Sequence, residues 1–204
     1  MLPVGYFTFL LHTHIPQVLG HGVWPHGSHW LMEAAVETYI PLMENLFRLR
    51  EEGGRCPITV SLTPVLMDQL TSPAFGPMLR AYLDEKIAAA EKNEASFAAG
   101  GQRGMARLAA WWKGFYLGTR DAWDGRYAAD PLGTLKALAA DFGVELIPSA
   151  VTHAYLPLLG SDACVRAQVS GAVRAYERVM GARPSGFWLP ECGWPEGRDG
   201  ILAA

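Results

Sequence analysis

The stretch "VGYFTFLL", residues 4–11, decides the interpretation of the fold. It is short, apolar, and rich in aromatic and β-branched residues, which is typical of a strand buried on both faces. Three later runs have a similar composition and are predicted as further strands: residues 58–62, "VELIPSAV" at 144–151, and "GFWLP" at 186–190. The chain therefore contains four candidate strands, separated from one another by much longer segments.

Helical patterns fill the segments between these strands. The expected helices cover residues 28–50, most of 74–128, about 132–141 and about 164–180. Pro41 should kink or break the first helix, because proline has no amide hydrogen to donate. Strands that alternate with helices pair in parallel through right-handed crossovers. The sequence thus predicts an α/β fold, and strands buried on both faces favour part of a barrel.

Composition excludes several classes of partner. The 204 residues are 50% hydrophobic and 18% charged, which is typical of a globular chain with a real core. The formal net charge of −3 provides no basic face, so nucleic acid and membrane surfaces are excluded. The first apolar run stops at His12 and has no basic leader, so neither a membrane span nor a signal peptide is predicted.

The three cysteines, Cys56, Cys164 and Cys192, form no paired framework and no Cys-x-x-Cys motif. This usage favours a reducing compartment and hence a cytoplasmic location. Cys192 has no adjacent basic residue to activate it as a nucleophile, so it is interpreted as a packed thiol.

Polar side chains follow the carboxyl end of every candidate strand. They are His12 and His14 after the first strand, Thr63 after the second, His153 after the third and Glu191 after the fourth. In a barrel these strand ends meet at one mouth, where barrel enzymes place their chemistry. Other roles stay open, since a lone histidine is often structural and Glu191 could cap the next helix.

The tryptophans give a second indication. Six of the seven fall in pairs: Trp24 and Trp30 around the first loop, Trp111 and Trp112 in a helical segment, and Trp188 and Trp194 on either side of Glu191. Aromatic faces beside carboxylates suit a sugar, whose C–H groups pack on rings while its hydroxyls form hydrogen bonds. Ordinary core packing explains at least half of these residues, including Trp111 and Trp112.

Five ordered segments carry a resemblance to a known family. They are "LHTHIP" (11–16), "HGVWPHGSHWLMEAAVETYIPL" (21–42), "ITVSLTPVLMDQL" (58–70), "VTHAYLPLL" (151–159) and "GFWLPECGW" (186–194). In these segments the chain resembles glycoside hydrolase family 57, and within it the α-1,4-glucan branching enzymes.

The resemblance implies a fold and a mechanism. The fold would be an incomplete (β/α)7 TIM-like barrel with an inserted helical segment, roughly residues 74–128, of which residues 1–204 form the N-terminal part. The mechanism would be retaining and would need no metal and no other cofactor, with an α-glucan such as amylose or glycogen as substrate. Glu191 matches the catalytic nucleophile, and His12, His14 and His153 match histidines that line the donor site.

The substrate-binding set predicted in this way also includes Trp24, Trp30 and Trp188. A retaining enzyme needs a second carboxylate roughly 5 Å from the first. In the family this acid/base group is an aspartate of a later motif, whereas this sequence ends at Ala204. The chain is therefore expected to lack that aspartate, the remaining strands and the C-terminal helical domain.

Two alternatives remain open from the sequence. One is a metal-dependent barrel hydrolase, such as a deacetylase, with His12, His14 and His153 as ligands. The other is a catalytically inactive remnant that binds glucan weakly, in which an exposed strand edge promotes self-association.

Overall fold

The computed structural model describes residues 5, 7–128 and 130–202. The chain divides into two compact units, which are described separately below. The sheet unit comprises Met1–Gln17, Leu49–Leu70 and Leu135–Ala204, and the helical unit comprises Val18–Arg48 and Thr71–Thr134.

The sheet unit contains three parallel strands in the order β1-β2-β3. They are β1 (Leu10–Thr13), β2 (Thr59–Leu62) and β3 (Glu145–Pro148). The register pairs Leu10 with Thr59 and Thr59 with Glu145. All residues of the central strand β2 are buried. The predictions of an α/β fold and of parallel pairing are confirmed.

Seven α-helices lie within the described residues. They are α1 (Ser28–Ala34), α2 (Ile40–Glu51), α3 (Pro64–Leu70), α4 (Phe75–Ala99), α5 (Arg103–Ala122), α6 (Pro131–Phe142) and α7 (Asp162–Met180). A π-helical segment, Ala35–Tyr39, joins α1 to α2 just before Pro41. The regular hydrogen-bond ladder is therefore interrupted where the proline was expected to disturb it.

Helix α7 packs against the sheet and ends cleanly. The Ser161 hydroxyl accepts a hydrogen bond from the backbone N–H of Cys164 at its start, and Gly181 closes it with a φ of 79°. The Tyr176 hydroxyl donates to the carbonyl of Leu146 in β3 at 2.8 Å. This helix is the crossover element that follows β3 in the chain.

The helical unit is built around the α4–α5 hairpin, so residues 74–128 are almost entirely helical. The interpretation of Trp111 as a core residue is wrong, because its side chain is 58% exposed. It stacks instead on Phe115, one turn later on the same helix face, with ring centroids 5.7 Å apart. Trp112 is half-buried.

The first strand differs from the prediction. Val4 and Tyr6 of the predicted strand lie outside the described residues, and β1 begins only at Leu10. Phe7 and Phe9 are exposed, so burial on both faces is wrong for this segment. Strand β1 is an outer strand of the sheet, and the described chain does not cover the face on which these rings lie.

The fourth predicted strand is reduced to a single parallel bridge between Ser149 and Trp188. The backbone N–H of Trp188 donates to the carbonyl of Pro148 at 2.8 Å, but the ladder does not continue. Pro190 has no N–H to donate, and Glu191 then turns into the left-handed region with a φ of 51°. The apolar run at 186–190 therefore indicates packing against the sheet and not a full strand.

Within the described residues, no helix combines the length and the apolar character that a membrane crossing requires.

Candidate active site

The structure brings together four of the predicted site residues at the carboxyl ends of the strands of the sheet unit. His12 lies in β1 and His14 directly after it, His153 follows β3, and Glu191 follows the bridge at Trp188. The ring centroids of His12 and His153 lie 4.8 Å apart, and those of His14 and His153 lie 4.1 Å apart. His153 is therefore the centre of the cluster.

His12 and His14 point to the same side because residues two apart in a strand share a face. Their rings are nearly parallel, 19° apart, with centroids separated by 6.4 Å. The β1–β2 register places Ser61 beside His12, and the next position on the same face, Thr63, lies beside His14. The distances are 3.1 Å from His12 Nδ1 to Ser61 Oγ and 3.2 Å from His14 Nδ1 to Thr63 Oγ1.

Glu191 and His153 meet directly. Oε1 of Glu191 lies 3.2 Å from Nε2 of His153, whose side chain is 7% exposed while that of Glu191 is 73% exposed. Both residues have a left-handed backbone, with φ values of 51° and 57°. A left-handed backbone is energetically unfavourable for residues other than glycine, and residues with this conformation concentrate at functional sites. Glu191 lies inside the short 3₁₀ turn Pro190–Cys192, so it does not act as an N-cap.

Three hydroxyl groups behind the histidines are fully buried: those of Ser61, Thr63 and Ser149. Ser149 Oγ donates to the carbonyl of Trp188 at 2.9 Å and lies 3.3 Å from Nδ1 of His153. Sequence analysis singled out Thr63 but missed Ser61 and Ser149. The available signal was a serine within an otherwise apolar strand, because a buried hydroxyl requires a hydrogen-bond partner.

The surroundings of His12 and His14 favour neutral rings. Burial, followed by the neighbouring His153 ring, lowers the pKa of His12, and Glu191 only partly opposes this effect. The same causes, with His12 in addition, lower the pKa of His14 to about 4. At neutral pH His12 and His14 therefore act as uncharged hydrogen-bonding groups beside Glu191.

The predicted aromatic residues are distributed over both units. Trp188 packs on His12, with ring centroids 5.6 Å apart and planes 28° apart. Trp194 packs instead against a buried cluster formed by Val165 and Val169 of α7 and by Ile201. Trp24 and Trp30 are exposed side chains of the helical unit, so their participation in the site remains a prediction.

Cys192 is exposed and has a positive φ of 58°, so the interpretation as a packed thiol is wrong. The strained turn that carries Glu191 also turns the next side chain outward. In the described part of the chain, no three or more His, Cys, Asp or Glu side chains are grouped so that they could hold a metal ion.

The family model for glycosyl hydrolase family 57 matches residues 8–203. The chain belongs to this family. It is 40% identical over 190 residues to the 1,4-alpha-glucan branching enzyme of Thermococcus kodakarensis, an alignment that covers 93% of this chain.

Solved structures of two other proteins are also similar to this chain. The branching enzyme of Pyrococcus horikoshii superposes with a TM-score of 0.86 at 39% identity over 92% of this chain. The α-amylase AmyC of Thermotoga maritima superposes with a TM-score of 0.84 at 29% identity over 96% of this chain. The chain spans only 27% of the Thermococcus enzyme, 35% of the Pyrococcus structure and 37% of the Thermotoga structure.

Proposed function

We propose that this chain supplies the nucleophile-bearing part of a retaining α-1,4-glucan branching enzyme, with Glu191 as the nucleophile. The observation that carries the proposal is the 3.2 Å contact between Glu191 Oε1 and His153 Nε2, made by two residues with strained backbones. The exposed carboxylate is accessible to a glycosidic bond, and buried groups of the sheet unit fix its partner. The 40% identity to a branching enzyme supports this substrate class.

The proposed reaction has two steps. Glu191 attacks the anomeric carbon of an α-1,4-glucan while a general acid protonates the departing glucan oxygen. The 6-hydroxyl of a second glucan then attacks the glycosyl ester, its proton passes to the acid/base group, and the Glu191 carboxylate is regenerated. On the family resemblance, we assign the acid/base role to an aspartate outside residues 1–204.

The histidines are proposed to bind the donor sugar. Neutral His12 and His14 can exchange hydrogen bonds with sugar hydroxyls without adding positive charge to the site. This matters because the transition state resembles an oxocarbenium ion, whose positive charge a nearby cation would oppose. His153 lies next to the proposed nucleophile Glu191 and is proposed to adjust the reactivity of its carboxylate.

Aromatic rings complete the proposed substrate contacts. Trp188 forms one wall of the histidine cluster and is suited to pack on the C–H face of a sugar. Trp24 and Trp30 are proposed as further glucan contacts on the basis of their exposed rings. The substrate would be amylose or glycogen, in keeping with a role in glycogen biosynthesis.

The resemblance also motivates a proposal for the whole fold. Residues 1–204 would be the N-terminal part of an incomplete (β/α)7 barrel, with residues 74–128 as a helical insertion and a helical domain further on. In the isolated chain, β1 and the segment 186–190 would offer edges for self-association. The three unpaired cysteines fit a cytoplasmic location.

Hydrolysis is the competing outcome for the same site. The similarity to AmyC gives it a specific basis, since that protein is an α-amylase with nearly the same TM-score as the branching enzyme. Water in place of the 6-hydroxyl would turn transfer into hydrolysis. The higher identity to the branching enzymes, 39% against 29%, favours transfer.

The test is to incubate the 204-residue chain and a version extended through the later family motifs with amylose. Iodine staining follows branching and a reducing-end assay follows hydrolysis. Glu191→Gln should abolish activity of the extended version, while the matched control Glu196→Gln should not. Activity of the 204-residue chain that depends on Glu191 would contradict the external acid/base group. No activity in either version would favour the inactive remnant.

A further inference from the structure

The turn that carries His153 has three successive backbone N–H groups, and each of them is paired. The N–H of Val151 donates to the backbone carbonyl of Gln168 at 3.1 Å, and the N–H of Thr152 donates to Oε1 of the Gln168 side chain at 3.1 Å. The N–H of His153 donates to the carbonyl of Ala150 at 2.9 Å, which closes the turn. Gln168 of helix α7 therefore accepts two of the three hydrogen bonds.

Helix α7 lies close to this turn on the face that Gln168 occupies. Nε2 of Gln168 donates to the hydroxyl of Thr152 at 2.9 Å, so both ends of the side-chain amide bind the same residue. Gly171 follows three residues later on that face of the helix. A β carbon at Gly171 would lie only 3.4 Å from the side chain of Val151. The helix thus contacts both residues that precede His153.

The backbone of His153 needs support of this kind. Its φ of 57° lies in the left-handed region, where a residue other than glycine remains only when its surroundings hold it there. The ring of His153 must also keep its place, with Nε2 at 3.2 Å from Oε1 of Glu191 and its centroid 4.1 Å from that of His14. A small change in the turn would therefore move the ring relative to Glu191.

We propose that Gln168 is a positioning residue, which holds the turn at residues 150–153 so that His153 stays in contact with Glu191. The proposal deepens the proposed function, because it rests on Glu191 as the nucleophile. Gln168 does not need to touch the substrate, since it acts through Thr152 and His153.

This role can be separated from a contribution to overall stability. The hydrogen bonds between the Gln168 side chain and Thr152 are exposed to solvent. Water can replace them when the side chain is removed, so no buried polar group is left without a partner. Loss of the amide should therefore change the place of His153 more than it changes the free energy of unfolding.

The first test measures the place of the His153 ring in the whole 204-residue protein by NMR of the histidine side chains. The nearby ring of His14 should shift the His153 signal away from those of exposed histidines, and loss of the signal in His153→Gln assigns it. Gln168→Ala should move the signal toward those of exposed histidines. Gln168→Glu keeps an oxygen that can accept from the N–H of Thr152 and should restore the wild-type signal. The control Arg166→Ala removes an exposed side chain of the same helix and should leave the signal unchanged.

The second test measures glucan transfer by the version extended through the later family motifs. Gln168→Ala should lower kcat about tenfold and change KM less, because a displacement of about 1 Å near reacting groups can cost a factor of about a hundred. Gln168→Glu should recover most of the rate, and urea unfolding of all three variants should be close to that of the wild type.

Two results would overturn the proposal. One is an unchanged His153 signal in Gln168→Ala, even in a variant that unfolds more easily, because Gln168 would then only stabilise the fold. The other is a shifted signal with an unchanged kcat, because the place of His153 would then not affect the reaction. A wild type without glucan transfer, in which Gln168→Ala still shifts the His153 signal, would leave Gln168 as the residue that positions His153 and would reject the proposed function instead.

Discussion

The ring of Tyr155 lies against the backbone of Gly193, in the space that a β carbon at that position would occupy. A β carbon would overlap the Tyr155 ring and reach Cγ of Pro157 at 3.0 Å. This contact joins the loop that carries Glu191 to the loop that follows His153. The separation of Glu191 from His153 therefore depends on the absence of a side chain at residue 193.

Gly193→Ala should disturb this contact and shift the Glu191 turn. Overpacking of this kind typically costs about 1–3 kcal/mol of unfolding free energy. Urea unfolding and glucan transfer by the extended version should both decrease. Gly200→Ala is the matched control, because no neighbouring atom lies within 4 Å of its built β carbon. Equal behaviour of the two variants would show that the Tyr155 contact does not constrain the loop.

The pKa of His14 predicts how stability depends on pH. The folded protein lowers this pKa to about 4, from an ordinary value of 6.5, so the unfolded chain binds more protons between those values. Unfolding free energy should therefore fall as pH decreases from about 6.5 to about 4, and this contribution should level off below. In His14→Gln the slope over this window should be shallower, as measured by urea unfolding at several pH values. An identical slope in both proteins would contradict the burial of a neutral His14.

The sequence predicts the histidine cluster well for a physical reason. Parallel strands end at one edge of a sheet, so polar residues that follow each strand meet there, as His12, His153 and Glu191 do. The serines were missed because composition does not distinguish a buried serine from a solvent-facing one. Their place beside the histidines became visible only when the register placed Ser61 beside His12.

The lengths of the strands were predicted less well. An apolar run indicates side chains suited to apolar surroundings, but it does not show whether the backbone finds a neighbouring strand with which to form hydrogen bonds. Phe7 and Phe9 are as apolar as a buried strand requires, yet they are exposed beside an outer strand. The run before Glu191 makes one bridge and then meets Pro190, which cannot donate to a ladder. Whether a segment forms a strand therefore depends on the neighbouring strand as well as on its own sequence.

Gln69 in α3 is predicted to hold the loop that follows His14. Its buried amide donates to the carbonyls of Ile15 at 3.3 Å and Pro16 at 3.0 Å. Gln69→Leu keeps the size but leaves these acceptors without that donor, at a typical cost of about 1–3 kcal/mol. Gln69→Glu should destabilise more, since it places a carboxylate against carbonyl oxygens. Thermal unfolding of both variants checks the order, and a Gln69→Leu variant as stable as the wild type would contradict it.

Cys192 offers a chemical probe of access to Glu191. Its thiol is exposed directly after Glu191, whereas Cys56 is half-buried, so a bulky maleimide should modify Cys192 faster than Cys56. Modification should block glucan transfer by the extended version, because the attached group would occupy the space in front of the carboxylate. Cys192→Ser should protect the activity from the reagent. Cys164→Ser, which removes the other exposed thiol at the start of α7, should not. Full inactivation of Cys192→Ser by the reagent would place the sensitive thiol elsewhere and show that the turn after Glu191 does not border the reaction site.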